Sequence, residues 1–214
     1  MRTALIVVTL LLFLALPVTA AAACPGTQVF QDPFTTPNPA LNVSAMSEST
    51  VKIQAGKAEV AFLLVNSGRA FEYGTQYGDA TICATFATLA TDKPENQAAG
   101  VLFWGPDYTT YYTLEVIPGS GQFGVAQLVP GGSWALPVAW TASPAVVKTM
   151  GGTNTLRVQT KGNTATLFVN DQQVGTVTGT PPAGGGLVGF WVGSSNTTAT
   201  DTWDVTNFSV AIPQ

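Results

Sequence analysis

Apolar and polar residues alternate with a period of two along most of the chain, and the clearest stretch runs from Thr155 to Thr178. Leu156 and Val158 fall on one side of an extended segment, with Arg157 and Gln159 on the other. Ala165, Leu167 and Val169 share the next apolar face, opposite Thr164 and Thr166. Lys161-Gly-Asn163 and Asn170-Asp171 punctuate the segment, and Asn and Asp both tolerate the positive φ that a tight hairpin needs. The spacing therefore predicts a three-stranded meander with one apolar and one wet face, as in the outer layer of a two-layer structure.

The same period predicts further strands over 28–31, 51–53, 58–65, 70–73, 80–89 and 98–104. It continues over 110–117, 122–128, 134–140, 155–160, 164–169, 173–177, 187–192 and 203–210. Pro118-Gly-Ser-Gly121, Pro130-Gly-Gly132 and Pro181-Pro-Ala-Gly-Gly-Gly186 separate several of them, and no segment carries a helical period. Many short strands between Gly- and Pro-rich turns predict an all-β sandwich or barrel. Pro33 to Ser49 is polar and patternless, and reads as a long surface loop after a first strand.

Residues 1–23 have the order of a secretory leader: Arg2, an apolar run from Ala4 to Val18, then Ala20-Ala-Ala-Ala23. Cleavage there leaves 24–214 as one domain, long enough for a core of its own. Export places the chain in a secreted or periplasmic setting, where disulfides persist. The two cysteines, Cys24 and Cys83, then suit one bridge. It would close a loop of about 60 residues, worth on the order of 3–4 kcal/mol in the chain-entropy model. Acylation of Cys24 behind the small Ala23 is the alternative, although Ala21 departs from the large aliphatic residue such a site uses.

Lys and Arg number 8 against 12 Asp and Glu, a formal net charge of −4. An acidic chain without a basic cluster argues against nucleic acid and anionic membrane as partners, since both bind through neutralised phosphates. Histidine is absent. That removes the usual base of Ser and Cys nucleophiles and the commonest zinc ligand.

The chain holds Val29-Phe-Gln-Asp-Pro-Phe34, Ala99-Gly-Val-Leu-Phe-Trp104, Tyr111-Tyr-Thr-Leu-Glu-Val116 and Asn154-Thr-Leu-Arg-Val158. Leu167-Phe-Val-Asn170, Gly186-Leu-Val-Gly-Phe190 and Trp203-Asp-Val-Thr-Asn-Phe208 follow. This order resembles the concanavalin A-like jelly-roll modules, within them the LamG-like and 3-keto-disaccharide-hydrolase-like domains of exported bacterial proteins. The resemblance implies a jelly roll of two curved antiparallel sheets. It also implies a role among those of lectins, laminin-G modules and glycosidases, without choosing between them.

Glycosidases of that superfamily often carry Glu-x-Asp-x-x-Glu or Glu-x-Asp-x-Glu on one strand, and this sequence has no such run. Glu115 stands alone, with Thr113 and Ile117 as its same-face neighbours. It is the one candidate catalytic acid, against the plainer reading of a hydrogen-bonded strand residue. Asp32 and Asp204 lie in the first and last strands, which adjoin in many jelly rolls, and related modules hold calcium near such positions. They are candidate calcium ligands, against simple capping; no other cofactor is expected.

Aromatic side chains suit the apolar faces of sugar rings. Trp104 and Tyr108 border a loop, and Tyr112 and Trp134 are expected on the concave sheet. Trp140, Trp191 and Trp203 are expected in the core. The sequence thus predicts a non-catalytic module binding carbohydrate or another extracellular polymer through Trp104, Tyr108, Tyr112 and Trp134, with Glu115 or Arg157 as polar contacts. The alternatives are a glycoside hydrolase or lyase of the keto-disaccharide type, and a laminin-G-like protein-interaction or structural module.

Overall fold

A computed structural model describes residues 24–41, 43, 46–90, 97–194 and 200–213. The leader-like segment 1–23 lies outside them. Strands make up both layers and, among the described residues, there is no helix, hence none long and apolar enough to cross a membrane.

The strands are β1 (Thr27–Asp32), β2 (Ser49–Gln54), β3 (Lys57–Phe62), β4 (Ser67–Tyr77), β5 (Thr81–Ala90), β6 (Ala99–Asp107) and β7 (Thr110–Ile117). They continue with β8 (Gln122–Val129), β9 (Ser133–Ala142), β10 (Thr153–Lys161), β11 (Thr164–Val169), β12 (Gln172–Thr178), β13 (Gly186–Ser194) and β14 (Thr202–Ile212). One sheet of eight strands runs β12-β11-β10-β5-β14-β3-β2, with β1 also paired to β14. The other, of six, runs β4-β13-β6-β7-β8-β9. All pairs are antiparallel.

The meander forms as the alternation requires. Leu156, Val158, Leu167 and Val169 are fully buried, while Arg157 and Gln159 on the opposite face stay partly open. Asn170 and Asp171 take φ of 49° and 63°, the two left-handed conformations of a tight two-residue hairpin. The core between the sheets is one cluster: Val60, Phe86, Trp203 and Val205 from the larger sheet meet Phe71, Val101, Leu114 and Phe190 from the smaller. Trp203 ties the layers together, since its indole N–H donates to the Gly193 carbonyl at 3.1 Å.

The segment after β1 is more than a surface loop. Phe34 and Leu41 are buried in the core, and Phe34 packs edge-on against Phe190 with centroids 6.1 Å apart. Asp32 sets this entry: its carboxylate accepts the Phe34 N–H at 2.8 Å and the Tyr73 hydroxyl at 3.2 Å. Cys24 is joined to Cys83 of β5, with Cα atoms 5.7 Å apart. That sulfur is therefore not available for acylation, and the bridge fastens the residues before β1 across β14 onto the middle of the eight-stranded sheet.

Candidate functional site

The outward face of the six-stranded sheet is set by the parity of β7. Leu114 and Val116 point inward and are fully buried by the core, so Tyr111, Thr113 and Glu115 point outward. Across the ladders, Glu115 lies between Gly100 of β6 and Gly124 of β8, and Thr113 between Leu102 and Ala126. Gly100, Gly124 and Ala126 are small and leave room for large side chains to lie against the sheet. A Cβ on Gly100 would come within 2.7 Å of Glu115 Cγ, and one on Gly124 within 3.0 Å of the Trp140 ring.

Trp191 lies on a glycine bed. Val188, Phe190 and Val192 of β13 face the core, which turns Trp191 outward. A Cβ on Gly193 would fall 2.2 Å from its Cη2, and one on Gly68 of β4 only 2.5 Å from its Cζ2. The indole is thus pressed against bare backbone and leans toward β4. Trp134 comes from the opposite edge, on β9. Four inter-strand steps, about 19 Å along a flat sheet, separate β9 from β13. Even so, the Trp134 and Trp191 centroids are 6.0 Å apart, and Tyr111 meets Trp134 edge-on at 5.9 Å. Since Trp191 leans away from β9, the sheet itself curls and its outward face is concave.

A cavity of about 330 Å³ occupies this hollow, with Trp134, Leu136, Trp140 and Trp191 as apolar walls. Asn66, Ser67, Gly68, Ala126 and Ser194 complete it with Glu115. The Ser194 hydroxyl is buried without a partner among the described residues. Glu115 is only 3% exposed. Among the described residues its carboxyl has one hydrogen-bond partner, the Thr113 hydroxyl, which donates to Oε1 at 2.5 Å. Burial pushes its pKa up to about 7 against the modest opposing pull of Thr113. Near neutral pH it is shared between the acid, which donates and accepts hydrogen bonds, and the carboxylate, which only accepts. Tyr111 is raised above the ordinary tyrosine range, first by burial and then by the charges of Glu115 and Glu72. Glu115 is the sole carboxyl on the cavity lining among the described residues.

Of the residues the sequence singled out, the structure brings Glu115 and Trp134 to this hollow. Trp134 is 46% exposed. Trp104 and Tyr112 belong to the core instead, 4% and 8% exposed and packed edge to face at 5.5 Å. Tyr112 follows from β7 parity. Trp104 does not: it takes a φ of 51°, the register of β6 breaks between Phe103 and Asp107, and the break turns the indole inward. Tyr108 is 69% exposed at the β6–β7 turn, away from the cavity lining. Arg157 sits on the other sheet, its guanidinium 3.9 Å over the Phe168 ring and 3.6 Å from Asp171. It is a surface contact of the meander and no part of the concave face.

Asp32 and Asp204 are not brought together either. Asp32 pairs in register with Phe208 and faces the core. Asp204 lies four residues away on β14, on the opposite face, and pairs with Lys57 at 2.7 Å. Among the described residues no three His, Cys, Asp or Glu side chains gather as a metal set. Trp140 and Trp191 line the cavity where the sequence placed them in the core, and Tyr111, which packs on Trp134, was not singled out as a neighbour of the site. For Tyr111 and Trp191 the signal was present, as the parity of Glu115 and of the apolar run 188–192.

No family model matches the sequence, and neither does any curated protein. Solved structures do superpose on it, over most of both chains. A carbohydrate-binding module from Bacillus subtilis matches at 11% identity, over 80% of this chain and 95% of its own, with a TM-score of 0.61. The fold these structures share with this chain is a two-sheet antiparallel jelly-roll sandwich. A second B. subtilis protein, of unknown function with a galectin-like fold, aligns at 10% identity over 88% and 98% of the two chains, with a TM-score of 0.65. The β-glucanase of Bacillus licheniformis aligns at 13% identity over 87% and 99%, with a TM-score of 0.59. At such identities the likeness to these jelly rolls concerns architecture.

Proposed function

We propose that the protein is an exported, non-catalytic carbohydrate-binding jelly roll that takes its ligand in the concave face of the six-stranded sheet. The observation that carries this reading is the Trp191 platform. An indole held against Gly68 and Gly193 lines a hollow that is also walled by Trp134 and Trp140. An aromatic face suits the C–H face of a pyranose, and the Glu115 carboxyl on the same lining supplies a polar contact for its hydroxyl groups. The carbohydrate-binding module and the glucanase among the structural neighbours are consistent with this use of the fold. Export is supported by the Cys24–Cys83 bridge.

The hydrolase reading has one observation in its favour, a buried carboxyl whose pKa of about 7 would suit a general acid. Hydrolysis by the usual route requires a second carboxylate roughly 5–9.5 Å away. None lines the cavity among the described residues, so the non-catalytic reading is preferred. A glycan array followed by titration calorimetry tests it. The expected result is micromolar to millimolar affinity for oligosaccharides, weakened at least tenfold by Trp191→Ala, with no release of reducing ends. Failure of the folded protein to retain any glycan, or steady turnover abolished by Glu115→Gln, would overturn it.

A further inference from the structure

We propose that the ligand of the concave site is an amine-bearing glycan, a polymer of amino sugars with free 2-ammonium groups, and that Glu115 pairs with the ammonium. The inference rests on the carbohydrate reading above and names the class of sugar. Three observations carry it. The sole ionisable group on the cavity lining, among the described residues, is a carboxyl. Three indoles line the same cavity, and the negative face of an indole attracts a cation. Arg69 does not line the cavity; its guanidinium lies 4.6 Å over the Phe71 ring and donates to the Ser49 hydroxyl at 3.2 Å, both on the core side of β4. An acidic sugar would meet a like charge here, and a neutral one would leave the carboxyl's second oxygen with only a hydroxyl.

Among the described residues, no side chain lining the cavity with Glu115 carries a positive charge. Thr113 and Tyr111 share its strand face, Gly100 and Gly124 flank it, and Trp191 and Trp140 line the same cavity from β13 and β9. The further titratable groups nearby are Tyr111 and Glu72, and Glu72 adds negative charge when ionised. An arriving ammonium keeps its own protons. The Glu115 carboxyl gives up its proton to buffer where it still holds one, and the product is an ion pair in an apolar hollow. The chain's net charge of −4 also draws a cationic polymer toward it.

The test compares three β-1,4-linked tetramers, of glucosamine, N-acetylglucosamine and glucose, by calorimetry at pH 6.5 in two buffers of different ionisation enthalpy. The expected result is a glucosamine tetramer bound about tenfold more tightly than the other two, with up to one proton released per site. Glu115→Gln should bring the three affinities to within a factor of about two. Equal affinity for the three tetramers would overturn the inference and leave the carbohydrate reading standing. A glucosamine preference that survives Glu115→Gln would assign it to the acidic surface and overturn it too. Should Glu115→Gln fail to fold, the unmodified protein still decides the matter, because tight glucosamine binding without proton release is incompatible with the pairing. Binding of none of the three would remove both readings.

Discussion

The burial of Glu115 leaves a mark on stability that needs no ligand to be seen. Its folded pKa of about 7 stands above the ordinary 4.5 because the carboxyl is out of water with one hydroxyl partner. A raised acid binds its proton more tightly in the folded state than in the unfolded one. Between pH 4.5 and pH 7 the folded chain therefore holds more protons, and stability falls as the pH rises. The contribution is fully present below the unfolded value and lost as the pH climbs through the folded one. The gap corresponds to roughly 3 kcal/mol at 25 °C. Glu115→Gln keeps the shape and cannot ionise. The informative quantity is the wild-type stability minus that of Glu115→Gln, taken from guanidinium melts at pH 4.5, 6, 7 and 8, because other titrating groups cancel in the difference. It should move against the wild type by about 3 kcal/mol between pH 4.5 and 8, then level off. A difference flat to within about 1 kcal/mol, or moving the other way, would mean that Glu115 is solvated or paired with a cation, and the account of the cavity floor would fail.

Gly193→Ala tests the indole platform without touching a wall residue. Its methyl group must displace the free end of Trp191, so ligand affinity should drop about tenfold, near 1.4 kcal/mol, with stability changed by no more than about 1 kcal/mol; an unchanged affinity alongside a shifted tryptophan emission would exclude Trp191 from binding. Opening the Cys24–Cys83 bridge, by Cys24→Ser or by reductant, frees a loop spanning 59 residues. In the chain-entropy model that costs about 4 kcal/mol, which a calorimetric melt would show as a drop on the order of 10 °C; a drop below about 3 °C would mean that the β1–β14 ladder alone holds the N-terminus. Trp203→Ala removes the largest fully buried side chain and the hydrogen bond to Gly193. It should cost about 3–5 kcal/mol in a denaturant melt, whereas a loss under about 1 kcal/mol would contradict its place between the layers.

The fold was legible because its determinants are local. Asn170-Asp171 specifies a hairpin by its own backbone preference, and the alternation of Leu156, Val158, Leu167 and Val169 marks the buried face with no knowledge of the partner sheet. Parity alone also placed the outward side of β7, where Tyr111, Thr113 and Glu115 share a face and Tyr112 cannot join them. Tyr112 shares the inward parity of Leu114 and Val116, so the same period excludes it from the concave face. Trp191 lies between Phe190 and Val192, which claim the core, and was legible for the same reason.

What stayed hidden depends on contacts far apart in sequence. The bed under Trp191 needs Gly68 opposite Gly193, a pairing of β4 with β13 that no local pattern reports. The approach of Trp134 to Trp191 needs the curl of five adjacent strands. Trp104 breaks parity through a left-handed conformation at a non-glycine residue, where neither composition nor spacing gives notice. Arg157 shows the converse, since its wet face was read correctly and only the sheet was mistaken. A period of two sorts residues into inside and outside, and both outer faces of a sandwich satisfy it equally. Glycines break that tie here. Gly100, Gly124, Gly68 and Gly193 all fall on outward positions of the six-stranded sheet, where a side chain would cost nothing in water but would lift the indoles and Glu115 off the backbone. An outward face stripped of Cβ atoms beside tryptophan is a face built to hold its aromatic rings flat, and that distinguishes the concave sheet from the threonine-covered one behind it.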